Sequence, residues 1–118
     1  MSRCLVVCVL VLSALVAAPA GAAPASRLQV VAKEFTYSLS RPKLKAGPGI
    51  IELVNFGEDS HDLRLRRIGG TRTYGVGPVL PGRHADLRVR LQPGRYRLWC
   101  SIANHRALGM RATLVVRK

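Results

Sequence analysis

The chain has 118 residues, with 19 Lys or Arg against 6 Asp or Glu and a formal net charge of +13 at pH 7. This length suits one domain with one core, and no internal repeat or second domain is visible in the sequence. The charge favours acidic protein partners, anionic membranes or wall polymers, whereas the few aromatic residues argue against nucleic acid, whose exposed bases stack on aromatic rings.

Residues 1–22 have the pattern of a signal peptide. A positively charged start precedes an apolar run of about 14 residues from Cys4 to Ala17, which is shorter than the roughly 20 residues that span a bilayer. Small residues at Ala20-Gly21-Ala22 suit a signal peptidase. We expect cleavage after Ala22, with an uncleaved anchor as the alternative, and export to the periplasm or exterior of a bacterium. Residues 23–118 then form the single mature domain.

The mature sequence predicts an all-β fold. Short runs of alternating apolar and polar residues are separated by Gly and Pro, which is typical of a sandwich or barrel, and no stretch keeps a helical period over three turns. The predicted strands are Leu28–Ala32, Phe35–Leu39, Ile50–Asn55, Asp62–Arg67, Ala85–Leu91, Tyr96–Cys100 and Arg111–Arg117.

Many arginines alternate with apolar residues inside these predicted strands. Because successive side chains of a strand point to opposite faces, we expect these arginines on the solvated face rather than in a dedicated binding stripe. The same parity puts His61 and Cys100 on the inward face, and Tyr96 and Trp99 are expected in the core. The arginines concerned are Arg64, Arg66, Arg88, Arg90, Arg95 and Arg97.

One short segment carries the chemistry of the chain. It reads Cys100-x4-His105-x4-Met110, and a further histidine, His61, lies upstream. Cys4 and Cys8 leave with the predicted signal peptide, so Cys100 has no partner for a disulfide within the mature chain. A lone thiol in an oxidising compartment is a liability unless it is buried or bound.

A thiolate, two imidazoles and a thioether form the soft nitrogen and sulfur set that selects copper for electron transfer. We therefore predict one copper ion per chain, held by His61, Cys100, His105 and Met110. Zinc is the less suitable metal because its sites rarely use methionine. The alternatives, residue by residue, are an inert buried cysteine, core or capping histidines and a core-filling methionine.

The remaining candidate residues are given structural roles. His84 has no ligand at a useful spacing and is expected on the surface. Asn55 is expected to fix the turn before His61 through hydrogen bonds between its side chain and the backbone. Four protein ligands leave no open coordination position, so we do not expect an enzyme.

Residues 50–61 and 81–116 resemble the cupredoxins, the family of plastocyanin, azurin and amicyanin. The matching motifs are Asn55-x5-His61, Pro81-Gly82, Pro93-Gly94-x-Tyr96-x-x-Trp99-Cys100 and Cys100-x4-His105-x4-Met110. The resemblance implies a Greek-key β-sandwich of about seven to eight strands, with copper near one end and the same four ligands.

The resemblance also implies how electrons enter and leave. His105 would be the partly exposed ligand through which they pass, within an apolar collar formed by Ile102, Ala107 and Leu108. Asp62 stands where family members commonly have asparagine, and its backbone N–H is expected to donate to the Cys100 sulfur.

Three functions remain open at this point. The first is a small, exported, monomeric blue copper protein that carries single electrons between redox proteins and docks on an acidic partner surface. The second is a copper-binding module for acquisition, delivery or resistance. The third is a metal-free sandwich that adheres to anionic membranes or wall polymers through its arginines.

Overall fold

The computed structural model describes residues 13–19 and 21–118. The predicted signal peptide therefore falls largely outside the described residues, and its cleavage and the domain boundary at residue 23 remain predictions. Within the described ranges, no helix has both the length and the apolar character needed to cross a membrane.

Nine strands and one short helix follow one another in the described part of the chain. They are β1 (Ser26–Lys33), β2 (Thr36–Leu39), β3 (Lys43–Lys45), β4 (Gly47–Asn55), β5 (His61–Arg67), β6 (Thr73–Val79), β7 (His84–Leu91), β8 (Gly94–Trp99), α1 (His105–Leu108) and β9 (Arg111–Arg117). All seven predicted strands are present, which confirms the all-β prediction.

The strands form two sheets. The smaller sheet has the order β2-β1-β4-β7, and the larger has the order β3-β9-β8-β5-β6. The β1–β4 and β3–β9 pairs are parallel, and the other pairs are antiparallel. The sequence did not predict β3 or β6. Both are edge strands, and β6 contains Gly75, Gly77 and Pro78, residues that a central strand rarely tolerates but an edge strand accepts.

The core lies between the two sheets and consists of the inward-facing apolar residues of both. Its fully buried members include Val30, Ile51, Leu53, Leu63, Leu65, Leu98 and Leu114. The predicted arginine parity is confirmed, because five of the six arginines are exposed and Arg64 is half-buried.

Tyr96 is buried as predicted, but the core prediction for Trp99 is wrong. Trp99 follows the outward parity of Arg95 and Arg97 in β8 and is half-buried on the outer face of the larger sheet. The Arg106 guanidinium carbon lies 4.8 Å from the Trp99 ring centroid and covers the ring.

Candidate metal centre

The loop from β8 to β9 brings Cys100, His105 and Met110 to one end of the sandwich. β8 and β9 are antiparallel neighbours, so the chain must return within this loop. The Cys100 N–H donates to the Met110 carbonyl over 3.1 Å, and the Met110 N–H donates to the His105 carbonyl over 3.1 Å. These bonds, together with the single turn of α1 that begins at His105, fix the three residues relative to one another.

His61 reaches the same end from the other direction, as the first residue of β5, which pairs with β8. The buried Asn55 side chain shapes the preceding turn. Its Nδ2 donates to the carbonyls of Asp59 over 2.7 Å and Val79 over 2.8 Å, and its Oδ1 accepts the Gly57 N–H over 2.8 Å. The predicted structural role of Asn55 is confirmed.

Three donor groups converge in the interior. One ligand atom each from His61, Cys100 and His105 lies within 4.8 Å of the others, and Cys100 Sγ lies 3.6 Å from His105 Nδ1. Bonds of about 2.0 Å to nitrogen and 2.3 Å to sulfur, as at zinc, allow two donors on one ion to lie up to roughly 4.3 Å apart. The Cys100 sulfur and the His105 nitrogen meet this limit. A small movement would bring the His61 nitrogen within the same limit.

His61 carries an unusual unpaired nitrogen. The His61 side chain is fully buried. Among the described residues, its Nδ1 is the one buried side-chain nitrogen or oxygen that has no hydrogen-bond partner. A buried polar atom without a partner is costly unless a ligand takes it. The donor set and this free nitrogen fit a metal of the copper type.

Glu34 fixes the orientation of the His61 ring. Its Oε1 lies 3.0 Å from His61 Nε2 and accepts the backbone N–H groups of Glu58 over 2.7 Å and Asp59 over 2.6 Å. The pKa of Glu34 is lowered to about 2, mainly by the hydrogen bond from the Asp59 N–H and further by its other hydrogen bonds, including that from His61. A carboxylate only accepts, so Nε2 carries the hydrogen of the neutral ring and Nδ1 keeps its lone pair.

Sequence reasoning missed Glu34. It lies 27 residues before His61 and has no recognisable spacing to the other site residues. The one sign of this contact in the nearby sequence is the glycine at position 57, because any other residue there would have a Cβ atom that collides with the Glu34 carboxylate.

His105 is the more exposed of the two histidines, but only its edge reaches the surface. The residue is 7% exposed, against 0% for His61, because Phe35 covers its ring with centroids 4.8 Å apart. Its Nε2 lies 4.0 Å from Asp59 Oδ2. Around it, Ala107 and Leu108 are exposed and Ile102 is half-buried, in keeping with the expected apolar collar.

The Cys100 thiol is fully buried. Burial raises its pKa, and hydrogen bonds from the backbone N–H groups of Asp62 and Ile102 offset this only in part. A contribution from the Asp62 backbone N–H agrees with the donation to the sulfur that the resemblance implies, which stays a prediction. A raised pKa means that a metal must displace the proton, so binding releases it to solvent.

The Asp62 carboxylate ties the two halves of the site together. Its Oδ1 accepts the Ser101 N–H over 2.6 Å, its Oδ2 accepts the Ser101 hydroxyl, and Arg64 Nη2 lies 3.2 Å from Oδ2. Burial acts to raise the pKa of Asp62, but the hydrogen bonds from Ser101 outweigh it and the pKa is lowered. The Asp62 side chain therefore links the His61 strand to the Cys100 loop.

Met110 is fully buried beside this group, and its backbone is hydrogen-bonded to both Cys100 and His105. Its side chain therefore lies in the interior at the same end of the sandwich, and its role as the fourth ligand stays a prediction. His84, in contrast, is exposed on β7, as predicted.

Several solved structures that are similar to this chain are cupredoxins. An azurin (Az-iso2) from Methylomonas sp. strain J has a TM-score of 0.64 at 14% identity, over 78% of this chain and 98% of its own. An auracyanin from Roseiflexus castenholzii has a TM-score of 0.66 at 12% identity, over 81% of this chain and 100% of its own. A purple cupredoxin from Nitrosopumilus maritimus has a TM-score of 0.58 at 15% identity, over 75% of this chain and 98% of its own.

No protein-family model and no curated protein sequence matches the chain. The likeness is therefore one of structure, at identities too low for sequence comparison to detect. It extends over nearly the whole length of each of these three structures. The chain has the cupredoxin fold, with a buried histidine–cysteine–histidine group at one end of its β-sandwich.

Proposed function

We propose that this chain is a small exported protein that binds one copper ion through His61, Cys100, His105 and Met110 and carries single electrons. The observations that support this most strongly are the convergence of three buried donor groups and the unpaired Nδ1 of His61. When bound, copper supplies a one-electron Cu(II)/Cu(I) couple tuned by its axial ligand.

The protein's own contribution is to hold its donors still. Glu34 orients the His61 ring, and Asn55 and Asp62 anchor the two segments that supply the ligands. Donors fixed in this way change position little between oxidation states, which lowers the reorganisation that accompanies electron transfer. The burial of Cys100 keeps water from the sulfur.

The same donor set argues against catalysis at the metal. Four protein ligands would leave no position for a substrate. The chain has three histidines, and the one outside the site, His84, is exposed on β7.

We further propose that electrons pass at the edge of His105, inside the apolar collar. The partner would be an exported or membrane-bound redox protein with an acidic docking surface, because the chain carries a net charge of +13. Association should weaken with salt, since exposed charges are screened. The carrier is expected to act as a monomer.

Electrochemistry of the copper-loaded protein tests the carrier role against copper handling. We expect a reversible one-electron wave and rapid self-exchange, seen as broadening of the NMR signals of His105 when oxidised protein is added to reduced protein. A protein that holds Cu(I) without reoxidation and passes the metal to a chelating acceptor would instead be a copper-handling module, and the carrier proposal would be wrong.

A further inference from the structure

The outer face of the larger sheet contains a groove of about 560 Å³ that the metal centre does not use. We call it the arginine groove. Its floor includes Trp99, which directly precedes Cys100, and its walls carry four arginines, namely Arg66, Arg67, Arg97 and Arg106. None of the residues that line it is acidic.

The four arginines have no carboxylate partner in the described part of the chain, where Arg64 is the arginine that forms an ion pair. Arg66 and Arg97 are direct cross-strand neighbours on β5 and β8. Like charges in this position repel each other and destabilise the strand pair. An anion bound between the two guanidinium groups would relieve that repulsion. The positive charge of the groove therefore favours a negatively charged ligand.

The guanidinium groups are held in place but retain free donors. Arg66 Nε donates to the Gly70 carbonyl over 3.0 Å, Arg67 Nε donates to the Pro93 carbonyl over 2.9 Å, and Arg106 lies over the Trp99 ring. Because each bond involves Nε, the terminal nitrogens of Arg66 and Arg67 stay available. Guanidinium groups with free terminal nitrogens pair with carboxylates through two parallel hydrogen bonds.

We propose that the arginine groove binds an acidic segment of the electron-transfer partner, with two or more Asp or Glu carboxylates seated between Arg66, Arg97 and Arg106. This rests on the proposed carrier function for the identity of the partner. A concave site admits an extended peptide segment better than the flat surface of a bilayer. Bound there, the partner lies against Arg106, which covers the Trp99 ring, and the Trp99 backbone continues directly into Cys100.

Trp99 is the single tryptophan of the chain, so its fluorescence reports on the groove directly. The probe is acetylated hexaglutamate amide, titrated at low salt into metal-free protein and into protein loaded with Cu(I). We expect a saturable change in emission in both forms that weakens as salt is added. Arg66→Gln with Arg97→Gln should weaken binding about tenfold, as expected for two exposed but geometrically specific charge pairs.

The matched control is Arg27→Gln with Arg88→Gln, which removes the same charge from exposed positions on β1 and β7 of the other sheet. It should weaken binding much less. Equal losses in the two double variants would mean diffuse attraction to net charge and would overturn the proposal. It would also be overturned if inorganic phosphate at matched ionic strength displaced the peptide fully, or if the groove arginines governed binding to phosphatidylserine vesicles but not to the peptide. Peptide binding by metal-free protein is independent of copper, so failure of the carrier function would be seen separately.

Discussion

Replacing Cys100 by serine should abolish the intense visible absorption of the copper-loaded protein. That absorption requires charge transfer from a thiolate, and Cys100 is the free cysteine that the described residues contain. The two side chains differ by one atom, so the sandwich should still fold. The visible spectrum after addition of one equivalent of Cu(II) measures the effect, and circular dichroism verifies the fold.

Ala107→Ser is the matched control, because it adds a hydroxyl at an exposed position of the same loop without removing a donor. This variant should keep the full absorption. If the Cys100→Ser variant kept the band near its original intensity, the thiolate would not be the source and the assignment of Cys100 as a ligand would be wrong.

Replacing Glu34 by glutamine should lower the Cu(II) affinity about 10- to 100-fold, the usual range for a group that orients a metal-bound histidine. The carboxylate is charged at neutral pH, since its pKa is about 2, and it stabilises the more positive ion by strengthening His61 as a donor. Cu(I) should be affected less. A tenfold selective loss of Cu(II) raises the reduction potential by about 59 mV for a one-electron couple.

Competition with a chelator of known affinity gives the Cu(II) constant, and voltammetry gives the potential. Glu58→Gln removes the same charge from the exposed neighbouring loop, where the backbone rather than the side chain contacts Glu34. It should change both quantities only slightly. If the two variants shifted the affinity and potential equally, a long-range charge effect would explain them and Glu34 would have no specific role.

Much of the fold was predictable because alternation in the sequence reflects the alternation of faces in a strand. Each predicted strand is present. β3 was missed because it has only three residues, and β6 was missed because its Gly and Pro residues, which an edge strand tolerates, are typical of a loop. Trp99, in contrast, was wrongly predicted to lie in the core. Its parity with Arg95 and Arg97 indicated the outer face, but its hydrophobic character suggested the core.

The candidate site was predictable to the extent that it is local in sequence. Cys100, His105 and Met110 share one loop, and the inward parity of His61 pointed to the same interior. Glu34 and the arginine groove were not predictable, since both depend on residues brought together only by the sheet order. Arg66 and Arg97, for example, are neighbours because β5 pairs with β8.

Titration of the purified, metal-free mature protein with Cu(II), followed by absorption spectroscopy, tests the central claim most directly. One buried site with a thiolate and two imidazoles predicts a strong visible charge-transfer band that grows linearly and stops at one equivalent of copper. A protein that stayed colourless, or bound copper only weakly and without a defined stoichiometry, would contradict the convergence of His61, Cys100 and His105 on a single ion.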